Sequence, residues 1–173
     1  AKLLEAQAAG AHGVQTGSVF ALAEESGMHP EYRTAILKEL RNGADDASLV
    51  RTTTFSPTGF AFKIVQLKST LAEQSVYEQR HRVCDIGLLQ QIGISAPAAD
   101  GTRRIFQRCA AGPIEGYIHK RSLQRNTEDR RCLCNGLLAC VGLGQVKDLH
   151  GERWEEPAIV TLGNHLDGIR RLS

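Results

Sequence analysis

The run Gly13-Val14-Gln15-Thr16-Gly17-Ser18 constrains this chain more than any other stretch. It reads as a short strand leaving through a tight glycine turn, with a helix expected over 19–26 directly behind it. A helix is expected in front of it as well. Over 2–9, Leu3, Leu4 and Ala8 share a face, Ala, Leu, Glu and Gln are good helix formers, and Gly10 is a natural stop. Helix, short buried strand, glycine turn, helix is the rhythm of a parallel α/β protein, because parallel strands need a crossover between them.

Downstream, His29-Pro30-Glu31 opens a helix in which Pro30 suits the first turn, Ile36, Leu37 and Leu40 make an apolar stripe, and Gly43 closes it. Residues 49–55 and 60–67 read as extended segments joined by Ser56-Pro57-Thr58-Gly59. Thr70-Leu71-Ala72-Glu73 matches a capping box, which predicts a helix to about residue 80. The pattern weakens over 84–113, where 96–101 is expected to be a surface loop. Helices are expected over 114–122 and, opened by Asn126-Thr127-Glu128-Asp129, over 126–141. A short strand over 158–162 and a helix capped by Asn164 complete the reading.

A chain of 173 residues, 42% hydrophobic and 23% charged, is long enough to bury a core and ordinary enough to fold as one globular unit. Its basic residues are spread along the chain. The densest stretch, His119-Lys120-Arg121 with Arg125, Arg130 and Arg131, is interrupted by Glu128 and Asp129 and lacks interleaved aromatics, so no nucleic-acid partner is expected. No segment approaches the roughly eighteen apolar residues of a membrane span. The opening residues read as an amphipathic helix rather than a secretory leader, so free thiols in a cytoplasmic protein are expected.

The glycine turn carries the chemistry. Glycine lets a backbone approach an anion closely and take up a positive φ. The N–H groups of Gly17 and Ser18, with the Ser18 hydroxyl, can converge on a phosphate, and a following helix start adds a favourable field. The plainer reading, that Gly17 only makes a turn, stays open at this point.

The longer stretch Ala9-Gly10-Ala11-His12-Gly13-Val14-Gln15-Thr16-Gly17-Ser18-Val19-Phe20, followed by Glu24-Glu25-Ser26, resembles the last barrel strand of the nitronate monooxygenase (2-nitropropane dioxygenase) family. There the pattern runs roughly Gly-Ala-x-Gly-Val-Gln-x-Gly-Thr-x-Phe, then Glu-Ser; Ser18 stands where Thr is usual and keeps the hydroxyl. Thr54-Phe55-Ser56-Pro57-Thr58-Gly59-Phe60-Ala61-Phe62-Lys63, Arg82-Val83-Cys84-Asp85-Ile86-Gly87, Cys132-Leu133-Cys134-Asn135-Gly136-Leu137 and Val160-Thr161-Leu162-Gly163 resemble the extension of one subgroup. That subgroup is also similar to the enoyl reductase components of polyunsaturated fatty acid synthases.

The resemblance implies an α/β chain, with 1–45 the last βα unit of a flavin-binding (β/α)₈ TIM barrel and 46–173 a mixed α+β extension packing on it. It implies FMN as cofactor, with Gln15, Thr16, Gly17 and Ser18 at its phosphate, and oxidation of a small alkyl nitronate by O₂. An enoyl-thioester reductase using NAD(P)H is the alternative within the same fold, and a non-catalytic binding or assembly module is the alternative outside it. A homo-oligomer is compatible with each. Such a barrel needs about 200 residues or more, so the resemblance implies that the catalytic residues lie upstream of Ala1 and that this chain alone is inactive.

Cys84, Cys109, Cys132 and Cys134 raise the question of a thiolate metal site. Only one close pair exists, with Cys-x-Cys spacing rather than the spacing of zinc pairs, so buried, inert thiols are expected and no metal is assigned. Cys140 is expected in the core. His81, His119 and His150 sit beside charged residues and are expected in solvent. No Ser-His-Asp or Cys-His arrangement stands out, which argues against a hydrolase. Trp154 with Glu152, Glu155 and Glu156 reads as a surface loop, and the stripe Leu133, Leu137, Val141 as core.

Overall fold

A computed structural model describes residues 2–119 and 123–171. The expected helix end at 120–122 lies outside the described residues. In chain order the elements are α1 (Lys2–Ala8), α2 (Ser18–Ala21), α3 (Pro30–Arg41), α4 (Asp46–Leu49), β1 (Val50–Thr53), β2 (Phe62–Val65) and α5 (Gln74–Gln79). Then come β3 (Gln91–Ile94), β4 (Ile105–Arg108), α6 (Ile114–His119), a 3₁₀ turn (Gln124–Thr127), α7 (Leu133–Cys140), β5 (Val146–Leu149), β6 (Glu152–Glu155) and α8 (Asp167–Arg170). The chain is a mixed α/β protein.

The longest helix follows its sequence signals closely. Pro30 takes the first position of α3, where no backbone N–H is required, and His29 Nδ1 accepts the Glu31 N–H at 3.4 Å. Lys38 and Arg41 occupy the last turn, where the helix dipole favours cations. Ile36 and Leu40 are buried, and Gly43 continues the chain at φ +83°. Asp45 then caps α4, accepting the Ser48 N–H at 2.9 Å.

The strands form three separate two-stranded sheets, each antiparallel, so the parallel arrangement expected from the opening segment is not seen among the described residues. Short connections explain this, because only antiparallel strands can be joined by a few residues. Between β1 and β2 the Ser56-Pro57-Thr58-Gly59 turn closes as read from the sequence, with Gly59 N–H on Ser56 C=O at 3.0 Å and Gly59 at φ +81°. Between β5 and β6, His150 (φ +58°) and Gly151 (φ +86°) form the positive-φ pair that two-residue hairpins require. Neither that hairpin nor the β3–β4 hairpin was expected.

Several expected boundaries move for identifiable reasons. The strand over 13–18 is not formed: 13–17 is irregular and exposed, with no ladder partner, Ser18 already belongs to α2, and the expected helix is that single turn. The Thr70–Glu73 box folds instead as a tight turn. Thr70 Oγ1 donates to Leu67 C=O at 2.7 Å, Glu73 Oε2 accepts the Ser69 N–H at 2.9 Å, and α5 starts after it. The helix expected from 126 begins only after Cys132, because Asp129 adopts φ +54°, which a right-handed helix cannot pass through. Helix α7 then buries Asn135, Gly136 and Cys140; of the expected core stripe, Leu133 packs against the cluster of Ile64, Leu71 and Ile159, while Leu137 and Val141 are 38% and 40% exposed.

The core is organised around the extended segment 158–162. Ala158, Val160 and Leu162 pack with Ile36, Leu40, Leu49 and Val65, while Ile159 packs with Ile64 and Leu71. Alternate residues thus serve two clusters, as in a strand buried on both faces. Yet its hydrogen bonds go to three different elements. Val65 N–H donates to Val160 C=O, Leu71 N–H to Ala158 C=O, and Ile159 N–H to Gly136 C=O, each at 2.8 Å. That distribution satisfies the buried backbone without making a ladder. No helix among the described residues is long and apolar enough to cross a membrane.

Candidate functional site

Gln15, Thr16, Gly17 and Ser18 line one cleft of about 720 Å³, in the size range of small-molecule sites. Helix α2 places the turn: Gly17 caps it, and its C=O accepts the Ala21 N–H at 2.9 Å. Gly17 lies at φ −116°, so the expectation of a positive φ does not hold. A Cβ built there would have nothing within 4 Å, so neither backbone conformation nor packing in this chain calls for glycine. Helix α2 has four residues and adds little macrodipole, so the field expected behind the turn is weak.

The cleft also contains residues that the sequence reading left without a role. Gly163 N–H donates to Ser18 Oγ at 2.8 Å, joining the Val160-Thr161-Leu162-Gly163 stretch to the turn. Ser18 keeps its O–H as a free donor, since a hydroxyl can accept and donate at once. Lys63, at the end of the Thr54–Lys63 stretch, lines the same cleft and donates from Nζ to Asn164 Oδ1 at 2.6 Å, which leaves two ammonium protons. Thr161 Oγ1 fixes the backbone beneath it by donating to Lys63 C=O at 2.6 Å. Three of the resembling stretches therefore meet at one place. The only signal that could have joined them was their shared resemblance.

The electrostatics of the cleft are balanced. Lys63 and Arg171 face Glu5 and Asp167, with His165 as a further titratable group. An anion here would be gripped by directed donors rather than by a net positive field. Open space above Gly17, the Ser18 hydroxyl and the Lys63 ammonium suit a phosphate group such as that of FMN.

No family model matches this chain. No curated protein and no solved structure matches it either. The likeness of the turn to the nitronate monooxygenase pattern therefore stands on the motif residues themselves.

The remaining two resembling stretches meet elsewhere, in a polar cluster that runs from the surface at Asp85 to the buried Asn135. Asn135 Nδ2 donates to Asp85 Oδ1 at 3.0 Å, and Lys147 pairs with Asp85 at 2.9 Å. Burial pushes the Asp85 carboxyl up, but Lys147 and Asn135 outweigh it and hold it below the usual carboxylate range. Beside them Arg80 forms a bidentate pair with Glu156, at 2.5 and 2.9 Å, with side chains 2% and 0% exposed. Glu156 is thus not part of a surface loop: β6 delivers it inward, and burial raises its carboxyl against the pull of Arg80.

Arg131, 1% exposed, has its guanidinium 3.4 Å from the Phe55 ring centroid and 4.0 Å from that of Tyr77. It donates to Leu71 C=O, Asp129 C=O and Gln74 Oε1. Arg130 reaches the Thr54 and Ser56 carbonyls, and Arg82 those of Ala110, Gly112 and Thr127. Arg82, Arg130 and Arg131 thus bind carbonyls of loops and turns in this chain.

Cys84, Cys109, Cys132 and Cys134 also gather here, with Cys109 and Cys132 buried. Among the described residues, no three His, Cys, Asp or Glu side chains are placed to hold a metal ion. Cys140 lies in the main core, as expected, and His81, His119 and His150 are exposed.

Proposed function

We propose that this chain supplies the phosphate end of a flavin pocket in an FMN-dependent oxidoreductase of the nitronate monooxygenase type. One observation carries the reading: all four motif residues share a cleft with Lys63, and the Ser18 hydroxyl is positioned there by Gly163. The Gly17 and Ser18 N–H groups, the Ser18 O–H and the Lys63 ammonium would hold the phosphate, and Asn164 would orient Lys63. Bound FMN would supply the redox chemistry, between an alkyl nitronate and O₂. Catalytic groups are not assigned on this chain; its role is to anchor and orient.

The apolar surface around the turn supports the same placement. Val14, Phe20 and Leu4 are 52%, 66% and 70% exposed, as expected of a barrel unit whose neighbouring βα units cover it. The same surface also suits an assembly module, and flavin separates the two readings. The natural gene product, purified and denatured, is expected to release one FMN per chain, and Lys63→Ala to lower that yield. A gene product that carries no flavin, and takes none up when FMN is supplied, overturns the proposal.

A further inference from the structure

The geometry points to a second chemical site, sharing no residue with the cleft: Cys84 and Cys109 form a reversible dithiol–disulfide pair that reacts with hydroperoxides. Cys84 lies in the loop after α5, and Cys109 directly follows β4, yet the two pack into one cluster. Gly112 makes the approach possible. A Cβ at that position would stand 3.1 Å from the Cys84 Cβ and 3.7 Å from the Cys109 Cβ, so both thiol-bearing carbons crowd the same bare backbone. Cys84 is half-buried and open to a small oxidant, whereas Cys109 is 9% exposed.

The surroundings divide the roles. Gln90 Nε2 donates to Cys84 Sγ at 3.4 Å, which favours a thiolate there. Contact with Cys109 does so most strongly, with Arg80 assisting and burial and Asp85 opposing, and the Cys84 thiol is pushed down to about 6. Cys109 is raised, by the same contact with Cys84 and then by burial. Burial pushes Cys132 up to about 11 and also raises Cys140, so both stay protonated. A low-pKa, accessible thiol beside a protonated one is the arrangement of an attacking and a resolving cysteine.

The reaction balances as follows. The Cys84 thiolate attacks one peroxide oxygen, forming an S–O bond and breaking the O–O bond; the other oxygen leaves as alkoxide and takes a proton to become the alcohol. Cys109 Sγ then attacks the Cys84 sulfur, forming S–S and breaking S–O. The departing hydroxide takes the Cys109 proton and leaves as water. Two thiols lose two electrons, the hydroperoxide gains them, and an external dithiol reverses the change.

The full chain, reduced and freed of reductant, should be treated with equimolar hydrogen peroxide, alkylated and mapped by mass spectrometry. A Cys84–Cys109 linkage that dithiothreitol removes is expected. In Cys109→Ser the sulfenic acid on Cys84 should persist and be trapped by dimedone, and in Cys84→Ser neither product should form. In the untreated wild type, iodoacetamide should modify Cys84 about tenfold faster than Cys140 at neutral pH, with a midpoint at about pH 6. Linkage through Cys132 or Cys134, or Cys84 alkylation that rises only above roughly pH 8, overturns the assignment. So does tightly bound zinc that must be stripped before any thiol reacts. The alkylation arm needs no variant, so it stands even if a substitution impairs folding.

Discussion

The glycine turn and the arginine-rich cluster are built from equally distinctive sequence, yet they treat their polar groups in opposite ways. In the cluster, Arg80, Arg82 and Arg131 are turned inward and their donors reach carbonyls, carboxylates or amides of this chain. At the turn, the Ser18 hydroxyl and the Lys63 ammonium keep free donors, and Gly17 faces open space. A group that completes its bonding internally holds the fold, whereas directed donors left open in a concave site are available to a ligand. The contrast separates two sets of motif-like residues in one chain: one whose polar side chains are bonded internally, and one that leaves donors open in a cleft.

Three substitutions test that division. The largest loss is expected from Glu156→Ala, which strands the Arg80 guanidinium where its side chain is 2% exposed. Removing one partner of such a buried pair costs about 3–5 kcal/mol, to be read as a lower urea midpoint with unchanged slope. An effect below about 1 kcal/mol, typical of surface pairs, would mean that water reaches the cluster. A smaller loss is expected from Gly136→Ala. Its new Cβ would stand 2.8 Å from Ile159 Cγ1, and such overpacking costs about 1–3 kcal/mol.

Gly17→Ala is expected to shift stability least, by no more than about 0.5 kcal/mol, because the site is open and φ is negative. Under the proposed function the same substitution should reduce the flavin content of the gene product, since the methyl group would enter the space proposed for the phosphate. Destabilisation as large as that of Gly136→Ala, or full flavin retention, would erase the distinction between the two regions.

Local signals in the sequence were informative where they decided structure without help. Pro30, His29 and Gly43 set α3, and Ser56–Gly59 set the first turn. Signals failed where a distant contact decided. Nothing local distinguishes Glu156 from its neighbours Glu152 and Glu155; its burial follows from Arg80, far away in sequence. Asn126–Asp129 looked like a helix start, but the chain instead turns through Asp129 into position for Arg131 to stack between Phe55 and Tyr77. At the site, Gln15–Ser18 were legible as a turn with donors, and the structure gathers all four in one cleft. Lys63 and Gly163 were not legible, because they reach the cleft only through tertiary packing.

The central segment 158–162 carries a consequence for how this protein is made. Ile36, Leu40, Ile64 and Leu71 are synthesised long before Ala158, Ile159 and Val160, against which they pack. During vectorial synthesis these earlier apolar groups have only one another to pack against, and their cluster stays open on the side of 158–162 until the chain has grown past Leu162, which exposes them to aggregation. Release of a chain stopped shortly before Ala158 would therefore yield a product that chaperones retain, even though it contains every residue of the glycine turn.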